Sequence, residues 1–210
     1  MSSSAAKVFL VGAGPGDPGL LTLRGWQLLA RADYVLYDYL VNPQILNATR
    51  PEAERVCLGR HGTGRILSQQ EINRRMIAAA EAGKTVVRLK GGDATIFART
   101  SEECAALEAA GIAYEVVPGV TALQAASAYT GIPLTHRDHP SGVAVITGQQ
   151  GVASQADPLD MAAFPRFPGT LAVYMGVTTA STWAGELIAQ GKPAQTPAAI
   201  VRYASLPRQT

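Results

Sequence analysis

Short apolar runs that end at glycine alternate with stretches of helical spacing along this chain. Val8-Phe9-Leu10-Val11 stops at Gly12, as a strand buried on both faces does. The glycine-dense segment Gly12 to Gly19 leads into Leu20, Leu21, Leu23, Trp26, Leu28 and Leu29, whose spacing predicts a helix ending near Ala32. Tyr34-Val35-Leu36-Tyr37 predicts a second strand, and Glu54 to Leu58 a third that ends at Gly59-Arg60-His61-Gly62. Ser68 and Glu71 stand at capping-box spacing before a helix with Ile72, Met76, Ile77 and Ala80 on one face and Gly83 at its stop. A strand from Thr85 to Lys90 runs into Gly91-Gly92-Asp93, and Thr100 and Glu103 repeat the capping-box spacing ahead of the next helix. Tyr114 to Val117 closes the set. Strand and helix in alternation predict a mostly parallel sheet.

Pro118-Gly119 is the strongest boundary signal. Beyond it, Thr121 to Tyr129 is Ala-rich and helical, and Gly131 to Arg137 is an irregular connection. Val143 to Thr147 predicts a strand ending at Gly148, and Gln149 to Pro168 a loop with one short helix. Thr170 to Met175 predicts a strand stopped by Gly176, Thr179 to Gln190 a helix, and Ala198-Ala199-Ile200-Val201 the start of another strand. The expected architecture is α/β in two lobes, 1–118 and 119–210, with a cleft between them. No internal repeat or low-complexity tract is present.

The 210 residues, 47% of them hydrophobic, suffice for a substantial core. Eighteen basic against sixteen acidic residues, with no Lys/Arg block, give no reason to expect nucleic acid as a partner. Cys57 and Cys104 have neither zinc nor redox spacing and read as free intracellular thiols. His61, His136 and His139 show no metal-ligand spacing, so no metal is expected. No apolar run reaches the length of a membrane span, and the start lacks the pattern of a signal peptide, so a cytoplasmic protein is expected.

The glycine turns carry the candidate chemistry. At Gly91-Gly92-Asp93 a strand feeds a tight turn at its carboxyl end, the edge where ligands sit in open α/β sheets. The glycines permit close backbone approach, and Asp93 can accept from a sugar or amino group; an ordinary capped strand-to-helix turn accounts for the local pattern equally well. Gly14-Pro15-Gly16-Asp17-Pro18-Gly19 matches the dinucleotide string GxGxxG, with Asp38 at a distance suited to a ribose. That reading fails physically. Pyrophosphate needs backbone N–H groups that Pro15 and Pro18 lack, and the turn from Gly12 to Leu20 is too long.

Val8 to Pro18, Tyr37-Asp38-Tyr39-Leu40-Val41, Gln70 to Asn73, Val86 to Asp93, Val116 to Thr121, Gly131 to Arg137 and Tyr174-Met175-Gly176 together resemble the tetrapyrrole (corrin/porphyrin) methyltransferase family. The resemblance is strongest to members that methylate uroporphyrinogen III, and its motifs fall in family order from end to end. It implies a homodimer of two α/β lobes that binds S-adenosylmethionine in the cleft. The implied reaction is C-methylation of a porphyrinogen to precorrin-2, on the way to sirohaem and cobalamin. By position, it implies cofactor contacts at Pro15, Gly91, Gly92, Asp93, Ile96, Thr121, Ala122, Met175 and Ala204. Asp38 matches a proton acceptor, Arg60 stands where the family usually has a proton-donating Lys, and Arg99, Glu102 and Arg137 match substrate-handling residues. A sister enzyme acting on a later precorrin and a non-catalytic cofactor-binding relative are the alternatives within the family.

Each residue also has a plain structural use. Asp38 suits a turn cap, Arg99 and Glu102 suit a surface ion pair, and Met175 suits a strand-end core position. The chain departs from the family at Asp93-Ala94, at Ala98 to Ser101 and at Arg202 to Ser205. Relatives continue through at least one more strand past the position of Thr210, which implies a truncated C-terminal lobe.

Overall fold

The computed structural model describes residues 8–59, 66–138, 142–149 and 159–210. Its contacts divide the chain into two compact units, Met1–Ala126 with Tyr203–Thr210, and Ser127–Arg202. The division falls beyond the Pro118-Gly119 turn and inside a helix, and it returns the tail to the first unit.

The first unit is built on a five-stranded parallel sheet: β1 (Val8–Gly12), β2 (Tyr34–Tyr37), β3 (Glu54–Cys57), β4 (Val86–Lys90) and β5 (Tyr114–Val117), in the order β3-β2-β4-β1-β5. β1 and β4 are buried along their whole length, which explains the continuous apolar sequence of β1, whereas β4 buries Arg88 and Lys90 as well. Alternation splits the core into two faces. Phe9, Val11, Val35, Val87, Leu89 and Val117 pack with Leu28 and Leu29 of α1 (Leu23–Leu29) and with Ile45 of a short 3-10 helix. Val8, Leu10, Leu36 and Val86 pack with Ile72 and Met76 of α2 (Gln69–Glu81) and Leu107 of α3 (Thr100–Ala109).

Right-handed crossovers dictate this sorting. Connections that step one way along the sheet carry α1, and those that step the other way carry α2 and α3. The connections leaving β1 and β4 therefore depart to opposite faces, so these neighbouring strands form the switch point at which such sheets open a crevice.

The helix expected from Leu20 is shorter. A 3-10 turn, Pro18–Leu20, comes first, and α1 begins only after Thr22, whose side chain caps the amide of Gly25. Ser68 caps α2 through the Glu71 amide at 3.2 Å. α4 (Ala122–Thr130) starts with a reciprocal cap: Thr121 Oγ1 accepts from Gln124 N at 3.2 Å, and Gln124 Oε1 accepts from Thr121 N at 3.0 Å.

The second unit holds a parallel pair, β6 (Val143–Thr147) and β7 (Thr170–Tyr174), followed by α5 (Ala180–Ala189). Gly148 and Gly176 end these strands as expected, because a Cβ on Gly148 would lie 2.5 Å from Gly176 Cα. Trp183 Nε1 donates to Gly176 O at 2.8 Å and Thr179 Oγ1 to Gly148 O at 2.7 Å, so α5 fastens both strand ends. The strand expected at Ala198 to Val201 does not form; these residues pair with no ladder, and Ile200 is exposed. Among the described residues no helix is long and apolar enough to cross a membrane, and no group of His, Cys, Asp or Glu is placed to hold a metal.

Met76 is fully buried whereas Leu23 is largely exposed. Met76→Ala is expected to cost about 2–5 kcal/mol in denaturant unfolding, and Leu23→Ala less than about 0.5 kcal/mol. Equal losses would mean that the face holding α2 is not the packed core described.

Candidate active site

At the carboxyl edge of the first sheet, the loops after β1 and β4 are bonded to each other. Ala13 N donates to Lys90 O at 2.7 Å, Gly14 N to Gly92 O at 3.0 Å, and Gly92 N back to Gly14 O at 2.8 Å. The loop after β5 presses into the same junction. A Cβ on Gly119 would lie 2.4 Å from Gly92 O, and one on Gly12 would lie 2.7 Å from Gly119 N, so both positions require glycine.

Asp93 stitches these loops together. Its Oδ1 accepts from Thr95 N at 2.7 Å and Thr95 Oγ1 at 2.6 Å, and its Oδ2 accepts from Gly119 N at 2.8 Å. Burial pushes its carboxyl pKa up, but the bonds from Thr95, Gly119 and Ile96 outweigh burial and leave it lowered. Asp93 therefore shapes the turn from within, a role its sequence position did not reveal.

Asp38, at the end of β2, is half-buried. Its Oδ2 accepts from Gly91 N at 3.2 Å, and its Oδ1 lies 2.7 Å from Arg88 Nη2. Arg88 and Lys90 alternate with Val86 on the α2–α3 face of β4, only 4% and 1% exposed. Glu103 of α3, 0% exposed, meets both cations: Oε1 at 3.0 Å from Arg88 Nε and Oε2 at 2.5 Å from Lys90 Nζ. Burial, followed by the Arg88 charge, pulls the Lys90 pKa down against the opposing effect of Glu103.

Glu103 is therefore not the capping partner that its spacing from Thr100 predicts. α3 starts at Arg99 in the left-handed region (φ 53°) with no side-chain cap, and Thr100 Oγ1 donates to Ala94 O. Leaving two cations buried without an acid would cost far more than an uncapped helix start.

The open side of the turn tests whether a ligand fits. A Cβ on Gly91 would meet only Leu40 Cβ, at 3.6 Å, and one on Gly92 only Ala122 N, at 3.7 Å. The space beside the paired glycines is free, and the first turn of α4 borders it. Gly92 is glycine for its φ of 69°, whereas Gly12 and Gly119 are glycine for lack of room. Exposed Tyr39, Leu40, Ile96 and Phe97 add apolar surface on the adjoining loops, and Phe97 is itself left-handed at φ 51°. Backbone groups, apolar surface and a half-exposed carboxylate suit a small ligand with polar and apolar parts.

The family model of the tetrapyrrole (corrin/porphyrin) methylases matches residues 7–210. The chain belongs to the tetrapyrrole methylase family. It is 52% identical over 195 residues to a siroheme synthase of Sodalis glossinidius, covering 93% of this chain and 41% of that protein. It thus spans about two fifths of the length of such curated relatives. The structure of a Thermus thermophilus uroporphyrin-III C-methyltransferase complexed with S-adenosylhomocysteine superposes with a TM-score of 0.83 at 41% identity, covering 98% of this chain and 86% of that one. A cobalt precorrin-4 methyltransferase of cobalamin biosynthesis superposes with a TM-score of 0.84 at 30% identity, covering 97% and 82%.

Within this tetrapyrrole methylase, Pro15, Asp38, Gly91, Gly92, Asp93, Ile96 and Thr121 lie on loops that follow strands of the first sheet, and Ala122 opens α4 directly after them. Ala204 belongs to the same unit, in the tail, where Ser205 Oγ accepts from Asp17 N at 3.1 Å and Leu206 packs on Gly16. Arg99 and Glu102 form an exposed bidentate pair at 2.7 Å, which raises the Arg99 pKa and lowers that of Glu102. Met175 and Arg137 lie in the second unit, both exposed, and Met175 has φ 54°. Met175 is thus not the strand-end core residue of its plain structural reading; the strand stops at Tyr174. Arg60 lies outside the described residues.

Sequence reasoning passed over Arg88, Lys90 and Asn42, whose Nδ2 donates to Gly16 O at 2.7 Å, and gave Glu103 only a capping use. The signal for the first two was present: two cations two residues apart on a strand buried on both faces require an acid.

A carboxyl group whose folded pKa is lowered stabilises the fold above its unfolded pKa, and that contribution is lost as pH falls through the folded value. Asp93→Asn is therefore expected to be less stable at neutral pH and to lose less stability on acidification than the parent. Parallel stability–pH curves below the ordinary carboxylate range would show that Asp93 does not stitch the loops as an anion.

Proposed function

We propose that this chain catalyses the S-adenosylmethionine-dependent C-methylation of uroporphyrinogen III to precorrin-2, as a homodimer in the cytoplasm. The observation that carries the reading is the half-exposed Asp38 carboxylate, held against the Gly91 amide beside the open glycine turn of a tetrapyrrole methylase. The high identity to siroheme synthases and to a uroporphyrin-III C-methyltransferase supports the choice of substrate.

S-adenosylmethionine, when bound, supplies a sulfonium-activated methyl group to an electron-rich pyrrole carbon. Gly91 and Gly92 offer backbone to it, with Pro15, Asp93, Ile96, Thr121, Ala122, Met175 and Ala204 as the remaining contacts. Holding two reactants in line is worth about 7–11 kcal/mol, so positioning by these residues supplies much of the rate. Asp38 accepts the proton that the cationic macrocycle must give up once the methyl has arrived; the methylated ring carbon itself carries no hydrogen, so the proton leaves from an adjoining position such as a bridging methylene. Arg99 and Arg137 grip substrate carboxylates with forked donors. Arg99 is free to do so because its exposed pairing with Glu102 is worth only about 0–1 kcal/mol and is readily exchanged. Arg60 keeps its proton at any ordinary pH, so it serves as an anion partner in this scheme and not as a proton donor.

Purified protein should transfer methyl groups from S-adenosylmethionine to uroporphyrinogen III, read by mass spectrometry. Asp38→Asn should lower kcat by about 10²–10⁴-fold. Arg99→Ala and Arg137→Ala should raise KM for the tetrapyrrole more than for the cofactor. Transfer only to a later precorrin would replace the substrate, a reading favoured by the similarity to cobalt precorrin-4 methyltransferase. Binding of S-adenosylhomocysteine without turnover on any tetrapyrrole would replace catalysis with cofactor binding.

A further inference from the structure

The buried charges beneath Asp38 are more elaborate than packing requires. Apolar side chains of similar volume at Arg88, Lys90 and Glu103 would hold α3 on the sheet at least as well, since buried ion networks often add no net stability. What an apolar set cannot do is aim a guanidinium. Arg88 donates through Nε to Glu103 Oε1 at 3.0 Å and through Nη1 to Leu89 O at 3.1 Å, while Nη2 lies 2.7 Å from Asp38 Oδ1. Three of its donors are assigned within a planar fork, which leaves the side chain little rotational freedom. The far oxygen of Asp38 then receives Gly91 N at 3.2 Å. An unbroken line runs from Glu103 through Arg88 and Asp38 to the glycine turn.

We propose that Glu103 is a positioning residue for the site: it aims Arg88, and through Arg88 it sets the orientation of Asp38 and of the Gly91 amide. Lys90 is the second partner of Glu103, which has both oxygens engaged, Oε2 on Lys90 and Oε1 on Arg88. Gln69 Nε2, 3.3 Å from Oε1, adds a third donor from α2. The effect on turnover rests on Asp38 acting as the base; the effect on geometry does not.

The test separates positioning from charge balance. Glu103→Leu leaves two buried cations with one acid at the rim, and it should lower the melting temperature. Adding Lys90→Met removes the surplus cation with a side chain of similar length, and it should recover most of that loss. In Lys90→Met/Glu103→Leu the Arg88–Asp38 pair remains, but Arg88 Nε has lost its acceptor and its aim is released. We expect kcat to stay reduced by about 100-fold, the scale of a misplacement near 1 Å. Affinity for S-adenosylhomocysteine by calorimetry should fall by much less than kcat, and the Gly91 amide resonance in a nitrogen-15 NMR spectrum should move away from its position in Lys90→Met alone, the control for the change of its neighbouring residue.

Recovery of kcat together with melting temperature, with Gly91 where Lys90→Met alone places it, would overturn the proposal and leave Glu103 as a neutraliser of Lys90. A displaced Gly91 resonance with full turnover would uphold the positioning and remove Asp38 as the base. An undisplaced Gly91 resonance overturns the positioning whatever kcat does. Should neither variant fold, Glu103→Asp, which keeps the charge and shortens its reach, is read by the same resonance and kcat.

Discussion

The carboxylate of Glu103 stands between Arg88 and Lys90 in the interior of the first unit, and much of the structure depends on it. Two cations on the buried face of a central strand are tolerable only with an acid supplied by the element packed on that face. That element is α3, so the requirement sets which side of α3 faces the sheet. Leu107 follows one turn later on the same side and enters the apolar cluster with Met76 and Leu10. The helix accepts an uncapped start, with Arg99 in the left-handed region, as the consequence of this commitment.

The same face leads to the site. Parallel strands place their carboxyl ends on one edge, and the connections from β1 and β4 leave that edge towards opposite faces. Loops meeting there must approach closely, and Gly12 and Gly119 make the approach possible. Backbone bonds between Gly14 and Gly92, with the Asp93 carboxylate across to Gly119, turn three separate loops into one rigid rim. The glycine string after β1 serves this junction. It begins a long loop capped by Asp17 and does not open a helix at its first turn, which is what a pyrophosphate would need.

Rigidity at the rim contrasts with exposed apolar side chains around it. Leu40, Ile96 and Phe97 border the glycine turn without being drawn into the core, and Phe97 holds a backbone conformation that bulky residues seldom adopt. Met175 in the second unit combines the same two features. Non-glycine residues in such conformations concentrate where function requires a side chain in an otherwise unfavourable place, and Met175 belongs to a segment that carries one of the family's motifs.

Much of this was legible in the chain itself. Apolar runs ending at glycine marked the strands, and the alternation of strand and helix implied a parallel sheet, because both signals arise from local burial and turn chemistry. The capping of α2 by Ser68 was visible for the same reason. The positions of Asp38, Gly91 and Gly92 came from their motifs. Tertiary structure alone decided what those residues touch. Thr100 and Glu103 have the spacing of a local cap, yet a partner fifteen positions earlier in the chain, Arg88, claims the carboxylate. Asp93 looked available to a ligand, and a turn beyond β5 takes one of its oxygens. Ala198 to Val201 has the composition of a strand but joins no ladder among the described residues. In each case the local pattern states what a residue is able to do, and long-range competition for hydrogen bonds and charge determines which of those uses prevails.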